Sequence, residues 1–400
     1  MTYDPTRAFR PGLPPAGPAW TSSPPYSFVG GNNDADSVPV GGLAESALAV
    51  LGREGRGLAT YNLGGSPFGY EPLRQFVASM LGKQASMACT ADDVLITSGS
   101  LQALDLVNML LVERGDVVLV EQATYGGMLA KLQRRGAEVV GVEVDDDGLR
   151  VESLVEVLER LAAEGRRPAF LYTIPTVQNP TGTVLPLERR RQLLEVAKAH
   201  DLVIFEDDCY AELLWDGSRP PTLASLDEEG RVIFCGSFSK SLAPALRVGY
   251  IVAHPAVLAQ ISAMKADAGT GALEQMVVAE YAAAHFDDHV PQLTATLQGK
   301  AAAMMTAVED SFGSLARFRA PKGGIFLWVE LTEPIDTAQL VEPAAAVGVE
   351  FNAGAGWAAD PVWGASRLRL CFGQPSPEDM RVGVARLADV IRGAAPTAGR

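Results

Sequence analysis

The stretch Ser237-Phe-Ser-Lys240-Ser-Leu-Ala-Pro-Ala-Leu-Arg247-Val-Gly-Tyr250 decides how this chain is read. It follows a short apolar run, Val232–Cys235, that reads as a buried strand. Lys240 is one of only seven lysines in 400 residues and sits among small hydroxyl residues. A lysine at the end of a buried strand loses hydration, which lowers its pKa and leaves a nucleophilic amine. Ser237, Ser239 and Arg247 beside it are donors of the kind that hold a phosphate. A surface lysine with its stem laid along apolar neighbours explains the same spacing, so the motif needs company.

The company is found at the ends of other strands. Apolar runs recur at Val94–Thr97, Val117–Glu121, Val139–Val144, Phe170–Ile174, Val203–Glu206 and Val248–Val252. Their near-continuous apolar character suits strands buried on both faces. Segments of helical length and spacing, such as Leu101–Val112 and Arg189–His200, lie between them. This alternation predicts an α/β protein with a mostly parallel central sheet flanked by helices. After about residue 290 the pattern changes to helix (Gln292–Ser311), strand (Gly324–Leu331), helix (Thr337–Val347), strand (Leu368–Phe372) and helix (Pro377–Arg392), which predicts a smaller α/β domain. Pro5, Pro11, Pro14, Pro15, Pro18, Pro24 and Pro25 make the start an extended arm, followed by a helix over Gly41–Gly52. The expected organisation is an arm with part of the small domain (1–57), a large domain (58–290), a small domain (291–393) and a tail (394–400).

Three strand ends carry further chemistry. In Gln178-Asn179-Pro-Thr-Gly182, Asn179 could donate to a phenolate oxygen; an ordinary Asn-Pro turn reads equally well. In Phe205-Glu-Asp207-Asp-Cys-Tyr210, a carboxylate directly after a buried strand is costly unless paired. Aimed at a pyridine nitrogen, Asp207 would keep that nitrogen protonated, with Tyr210 pointing the same way; the alternative is a helix cap. In Thr97-Ser-Gly99-Ser100-Leu101-Gln-Ala103, a Gly/Ser turn before a helix presents free N–H groups, a cradle for phosphate or a plain βα loop.

As an ordered set, these motifs resemble the fold-type I pyridoxal-phosphate enzymes of the class I/II aminotransferase superfamily. Within it the chain looks most like the branch of 2-aminoadipate and kynurenine aminotransferases and MocR-type domains, over roughly residues 28–392. The resemblance implies an aspartate aminotransferase-like fold and pyridoxal 5'-phosphate bound as a Schiff base on Lys240, which would also move the Cα proton. Asp207 would pair with the ring nitrogen, Tyr210 and Asn179 would bind the ring oxygen, and Tyr125 would stack on the ring. Gly99, Ser100, Leu101, Ser237 and Arg247 would hold the phosphate. Tyr61 sits where family members reach a phosphate across a dimer interface, implying a homodimer with shared sites. Arg369 matches the arginine that grips the substrate α-carboxylate, with Arg367 as its rival two residues away. Gly31 lies where the arm lines the substrate site.

Three segments depart from the family pattern. Lys265–Gln275 is unusually small and flexible, the helix after His289 lacks basic residues, and Asn352-Ala-Gly-Ala-Gly-Trp357 replaces a Pro-Gly turn followed by Phe. They leave the substrate open and admit a second reading, β- or γ-elimination or replacement on S-adenosylmethionine or a cysteine derivative. A non-catalytic sensor would need its own DNA-binding module, and the Pro-rich start does not read as one.

Composition bounds the rest. Lys+Arg 33 against Asp+Glu 48 gives −15, which argues against binding a phosphate backbone. Cys89, Cys209, Cys235 and Cys371 form no CxxC pair, so neither a disulfide framework nor a zinc site is expected, and a cytoplasmic setting is the simplest. No apolar run of about 18 residues suggests a membrane span. His285 and His289 share a helix face but have no evident third ligand, so no metal is expected.

Overall fold

A computed structural model describes residues 3–9, 13, 16, 17 and 24–394. Pro11, Pro14, Pro15 and Pro18 of the arm, and residues 395–400 of the tail, lie outside the described residues. The central sheet is built from β1 (Val94–Thr97), β2 (Val117–Glu121), β3 (Glu138–Val142), β4 (Pro168–Thr173), β5 (Ile204–Asp207), β6 (Val232–Ser237) and β7 (Gly249–Val252). Its order is β1-β7-β6-β5-β4-β2-β3. Every pairing from β6 through β3 is parallel; β7 runs antiparallel to both β6 and β1. β1, β2, β5, β6 and β7 are buried along their whole length, as their apolar runs require.

This topology places the site. The carboxyl ends of β1, β2, β4, β5 and β6 open on one edge of the sheet, where α/β proteins bind ligands. Because β7 is reversed, its first residue, Gly249, pairs with Ser237 and Thr97 at that same edge. Arg247, which precedes β7, therefore joins residues that follow their strands.

The second sheet is antiparallel, with order β8-β9-β11-β10: β8 (Ala316–Phe318), β9 (Phe326–Leu331), β10 (Asn352–Ala353) and β11 (Arg367–Cys371). Arg369 stands between Trp328 on one neighbouring strand and Asn352 on the other. Tyr26–Ser27 of the arm pairs in parallel with Val349–Glu350. The buried Phe28 continues that contact by donating to Glu350 O and accepting from Cys371 N. The arm thus becomes a strap running from the second sheet across the sheet edge.

One expectation is corrected. The sequence reading starts a helix at Gln292, after Pro291, but the helix runs unbroken over Ala272–Phe312 with Pro291 inside it. Phe286, Val290, Leu293 and Leu297, spaced by four, three and four residues, form one buried stripe across the proline. Burying that stripe outweighs the ~3 kcal/mol that an interior proline costs a helix. The helix packs on both sides of the molecule, against Val40–Glu54 and Glu71–Ala85 and against Pro377–Ala394 and β9. The last of these helices extends through Gly393 and Ala394, past the start of the expected tail.

Candidate active site

A cavity of about 360 Å³ opens at the sheet edge, between the two sheets. Gly31, Ser100, Leu101, Tyr125, Asn179, Asp207, Tyr210, Ser237, Lys240, Arg247 and Arg369 all line it. Gly99 lies against it, since a Cβ there would stand 2.2 Å from Arg247 Nη2. Tyr61 does not come to this cavity; it is 81% exposed on the surface.

Lys240 is largely withdrawn from solvent, and burial pulls its ammonium pKa below the ordinary lysine value. Its Nζ donates to Gly31 O of the strap. Asn33 of the same strap donates to Lys240 O at 3.0 Å. Asp207 ends β5 with one oxygen engaged: Oδ2 accepts from Tyr172 Oη at 2.6 Å, and Oδ1 has no partner. Burial raises the Asp207 pKa, and no cation among the described residues pairs with it. Asn179 Nδ2 donates to Tyr210 Oη at 3.1 Å.

Arg369 is 2% exposed and forms no ion pair among the described residues. Its guanidinium is sandwiched between the Trp357 ring at 3.4 Å and the Phe326 ring at 3.9 Å. Nη1 donates to Asn179 Oδ1 (3.1 Å), and Nη2 to Gly30 O (2.6 Å) and Asn352 Oδ1 (2.7 Å), while Nε has no partner. Burial without a counter-ion pushes its pKa down to about 10. Arg367, the rival, is already satisfied: it pairs with Glu330 at 2.9 Å and stacks on Trp363 at 3.7 Å.

The turn at Gly99 is equally well defined. Gly99 caps the helix Ser100–Leu111 with φ +74°, a conformation glycine adopts without strain. That helix start leaves its first N–H groups pointing outward with a positive end. Gly249 passes close behind, since a Cβ there would stand 2.7 Å from Ser100 N. Arg247 reaches over the turn to donate to Ser98 O at 3.1 Å. An outward helix start beside an arginine suits a phosphate, an orphaned carboxylate oxygen suits a protonated ring nitrogen, and a buried lysine with a lowered pKa suits an aldehyde. That donor set fits pyridoxal 5'-phosphate and places the chain among the transferases that carry it.

The chain belongs to the class I and II aminotransferases: the sequence profile of that family, aminotransferase class I and II, matches residues 52–387. An aromatic-amino-acid aminotransferase of Thermococcus litoralis is 34% identical over 92% of this chain and 88% of its own length. A 2-aminoadipate transaminase of Thermus thermophilus is 36% identical over 92% of this chain and 90% of its own. The crystal structure of the Thermus α-aminoadipate aminotransferase, complexed with N-(5'-phosphopyridoxyl)-L-leucine, superposes with a TM-score of 0.85 and covers 92% of each chain. These relatives make the chain a pyridoxal-phosphate-dependent aminotransferase of fold type I and do not favour the elimination or replacement reading.

Asn352, Phe326 and Trp357 line the cavity, and Tyr172 stands behind it on Asp207, without having been singled out from the sequence. Asn352 and Trp357 lie in the segment marked as departing from the family, which was the available signal. Phe326 and Tyr172 sit in apolar strands and read there as core. The segment Lys265–Gln275 is better tied than its composition suggests: Asp267 accepts from Lys265 at 2.7 Å and from Gln102 at 2.6 Å. His285 and His289 both pack against Tyr281, the first tilted at 5.1 Å and the second edge-on at 5.9 Å between ring centroids.

Behind the site Glu121 ends β2, wholly buried and with no cation paired to it among the described residues. It accepts from Thr173 Oγ1 (2.9 Å), Ile174 N (3.1 Å) and Gln178 Nε2 (3.0 Å), which fixes the loop that carries Asn179. Burial raises its pKa from 4.5 to about 7. The folded state then keeps a proton that the unfolded chain releases, so the Glu121 contribution is largest below pH 4.5 and declines as pH rises through 7. Glu121→Gln is isosteric and cannot ionise. Its stability relative to wild type, measured by denaturant unfolding of the apoprotein, should improve by about 3 kcal/mol between pH 4.5 and pH 8. A pH-independent difference would show that Glu121 ionises normally.

Proposed function

We propose that Lys240, Asp207 and Arg369 carry transamination of an α-amino acid with an apolar or aromatic side chain. The observation that carries the reading is Arg369, a buried guanidinium held between two aromatic rings without an anion. Such a group accommodates a substrate α-carboxylate. Among the described residues that line the cavity no further arginine or lysine is free for a second carboxylate, since Arg247 lies at the phosphate cradle and Lys240 at the reacting centre. Tyr125, Tyr210, Phe326 and Trp357 supply an apolar, aromatic lining instead.

The bound cofactor supplies an electron-withdrawing ring that takes up the electron pair released when the Cα–H bond breaks. Lys240 is the cofactor's point of attachment and, once freed, the base that holds the Cα proton on one face. Its depressed pKa leaves the amine neutral at a lower pH than an exposed lysine allows. Asp207 would keep the ring nitrogen protonated, and Asn179 and Tyr210 would hold the ring oxygen. Tyr125, Gly99, Ser100, Leu101, Ser237 and Arg247 fix the ring face and the phosphate, while Gly31 closes the site from the strap.

The test uses purified protein loaded with pyridoxal 5'-phosphate and single amino acids, without a keto acid. Phenylalanine, kynurenine or leucine should convert the cofactor to pyridoxamine phosphate, identified by mass, at least tenfold faster than 2-aminoadipate or glutamate. The reverse order would sink the substrate assignment.

We further propose a cytoplasmic homodimer in which Tyr61 completes the partner's phosphate site. The support is its position: a large aromatic hydroxyl side chain exposed on the surface and absent from its own chain's cavity. Tyr61→Phe should weaken cofactor affinity about threefold to tenfold, measured by fluorescence titration, with the dimer intact by light scattering. A monomeric wild type that binds cofactor normally would overturn this arrangement.

A further inference from the structure

The side chains packed directly on Asp207 from the neighbouring strands are neutral. β4 and β5 are parallel neighbours with Tyr172 paired to Phe205. Alternate residues of a strand share a face, so Phe205 and Asp207 point the same way. The Tyr172 ring meets Phe205 edge-on at 5.8 Å, and its hydroxyl reaches past it to Asp207 Oδ2 at 2.6 Å. On the other flank, Cys235 of β6 lies opposite Asp207 in register. The Cys209 and Cys235 thiols and an Asp207 oxygen all lie within 4.8 Å of one another. The charged groups near enough to act, Glu121 and Asp208, carry the same sign as Asp207.

Such an environment works against the task assigned to Asp207. Burial and like charges favour its protonated form. A carboxylate that captures the ring proton leaves a neutral pyridine, which withdraws electrons poorly. The two oxygens are divided: Oδ1 has no hydrogen-bond partner, in a residue that lines the cavity, and Oδ2 is committed to Tyr172, while the neighbouring Cys209 thiol also favours the ionised form. A hydroxyl donating to a carboxylate stabilises the ionised form, and a short bond of this kind is among the stronger ones.

We propose that Tyr172 is a positioning residue that acts through Asp207, holding the carboxylate ionised and Oδ1 directed to the cofactor's ring nitrogen. The proposal rests on the role given to Asp207. Tyr172 is 0% exposed, so it touches neither solvent nor substrate. Its hydroxyl thereby determines which of two atoms holds one proton.

The experiment reconstitutes the enzyme with cofactor labelled with nitrogen-15 in the ring and follows the nitrogen signal against pH. Tyr172→Phe keeps the ring and its packing on Phe205 but removes the donor. The pH midpoint for loss of the ring proton should fall by 1–2 units, about ten- to hundredfold in the proton equilibrium. The transamination half-reaction at neutral pH should slow by a similar factor. If Tyr172→Phe does not fold, 3-fluorotyrosine at position 172 is the replacement; its more acidic hydroxyl should raise the midpoint. A midpoint unmoved by either change would assign Tyr172 to packing alone. Asp207→Asn separates the two readings, because it should lower the midpoint by more than Tyr172→Phe. If Asp207→Asn leaves the midpoint in place, the role of Asp207 itself fails. If only Asp207→Asn moves it, Asp207 stands and Tyr172 does not act through it.

Discussion

Lys240→Ala should abolish the absorption band of covalently attached cofactor and slow the transamination half-reaction by at least ~10⁴-fold. In barrier terms that is about 5 kcal/mol. Two functions vanish together with this side chain, attachment of the cofactor and transfer of the Cα proton. They can be separated by adding methylamine, which is small enough for the space left by the butylamine chain. It should restore part of the proton-transfer rate in proportion to its free-base concentration, without restoring covalent attachment to the protein. Stability should change little, because the folded state holds the Lys240 ammonium in an unfavourable, desolvated place. Activity within tenfold of wild type would remove Lys240 from the reaction.

Arg369→Gln should lower kcat/KM for the amino-acid donor by about 10²–10³, the consequence of losing a forked, charge-assisted contact to the α-carboxylate. The same substitution should leave the melting temperature of the apoprotein nearly unchanged. Arg369 is a buried cation with no anion, so its removal relieves a desolvation cost while Gly30 O, Asn352 and Asn179 lose a donor. The glutamine amide at position 369 retains two N–H donors for those oxygens. A large drop in melting temperature with normal kcat/KM would make Arg369 a structural residue and leave the carboxylate without a partner. Amines that lack a carboxylate should show no difference between Arg369→Gln and wild type.

Much of the fold could be read from local pattern, because a parallel sheet covered on both faces writes itself as apolar runs. β1 and β2 have the limits expected for them. The helix through Pro291 could not be read that way. A proline is a local stop signal, and it was overridden by a buried stripe whose partners lie far away in sequence. The cavity followed the same rule. Asp207 ends its strand, and Lys240 and Asn179 lie in the short loops that follow theirs, so their place at the sheet edge is legible from the chain alone. Tyr172, Phe326 and Trp357 contribute through tertiary contact. An aromatic residue in a strand looks the same in sequence whether it fills the core or holds a carboxylate. The exposed Tyr61 marks another limit, because its proposed role depends on a surface supplied by a second copy.

The strap also bears on how the site fills. Gly30 O accepts from Arg369 and Gly31 O from Lys240, two consecutive carbonyls on two of the three basic groups that line the cavity. A carboxylate that takes Arg369 Nη2 exchanges with Gly30 O, so occupancy of the site and the seating of the arm are coupled.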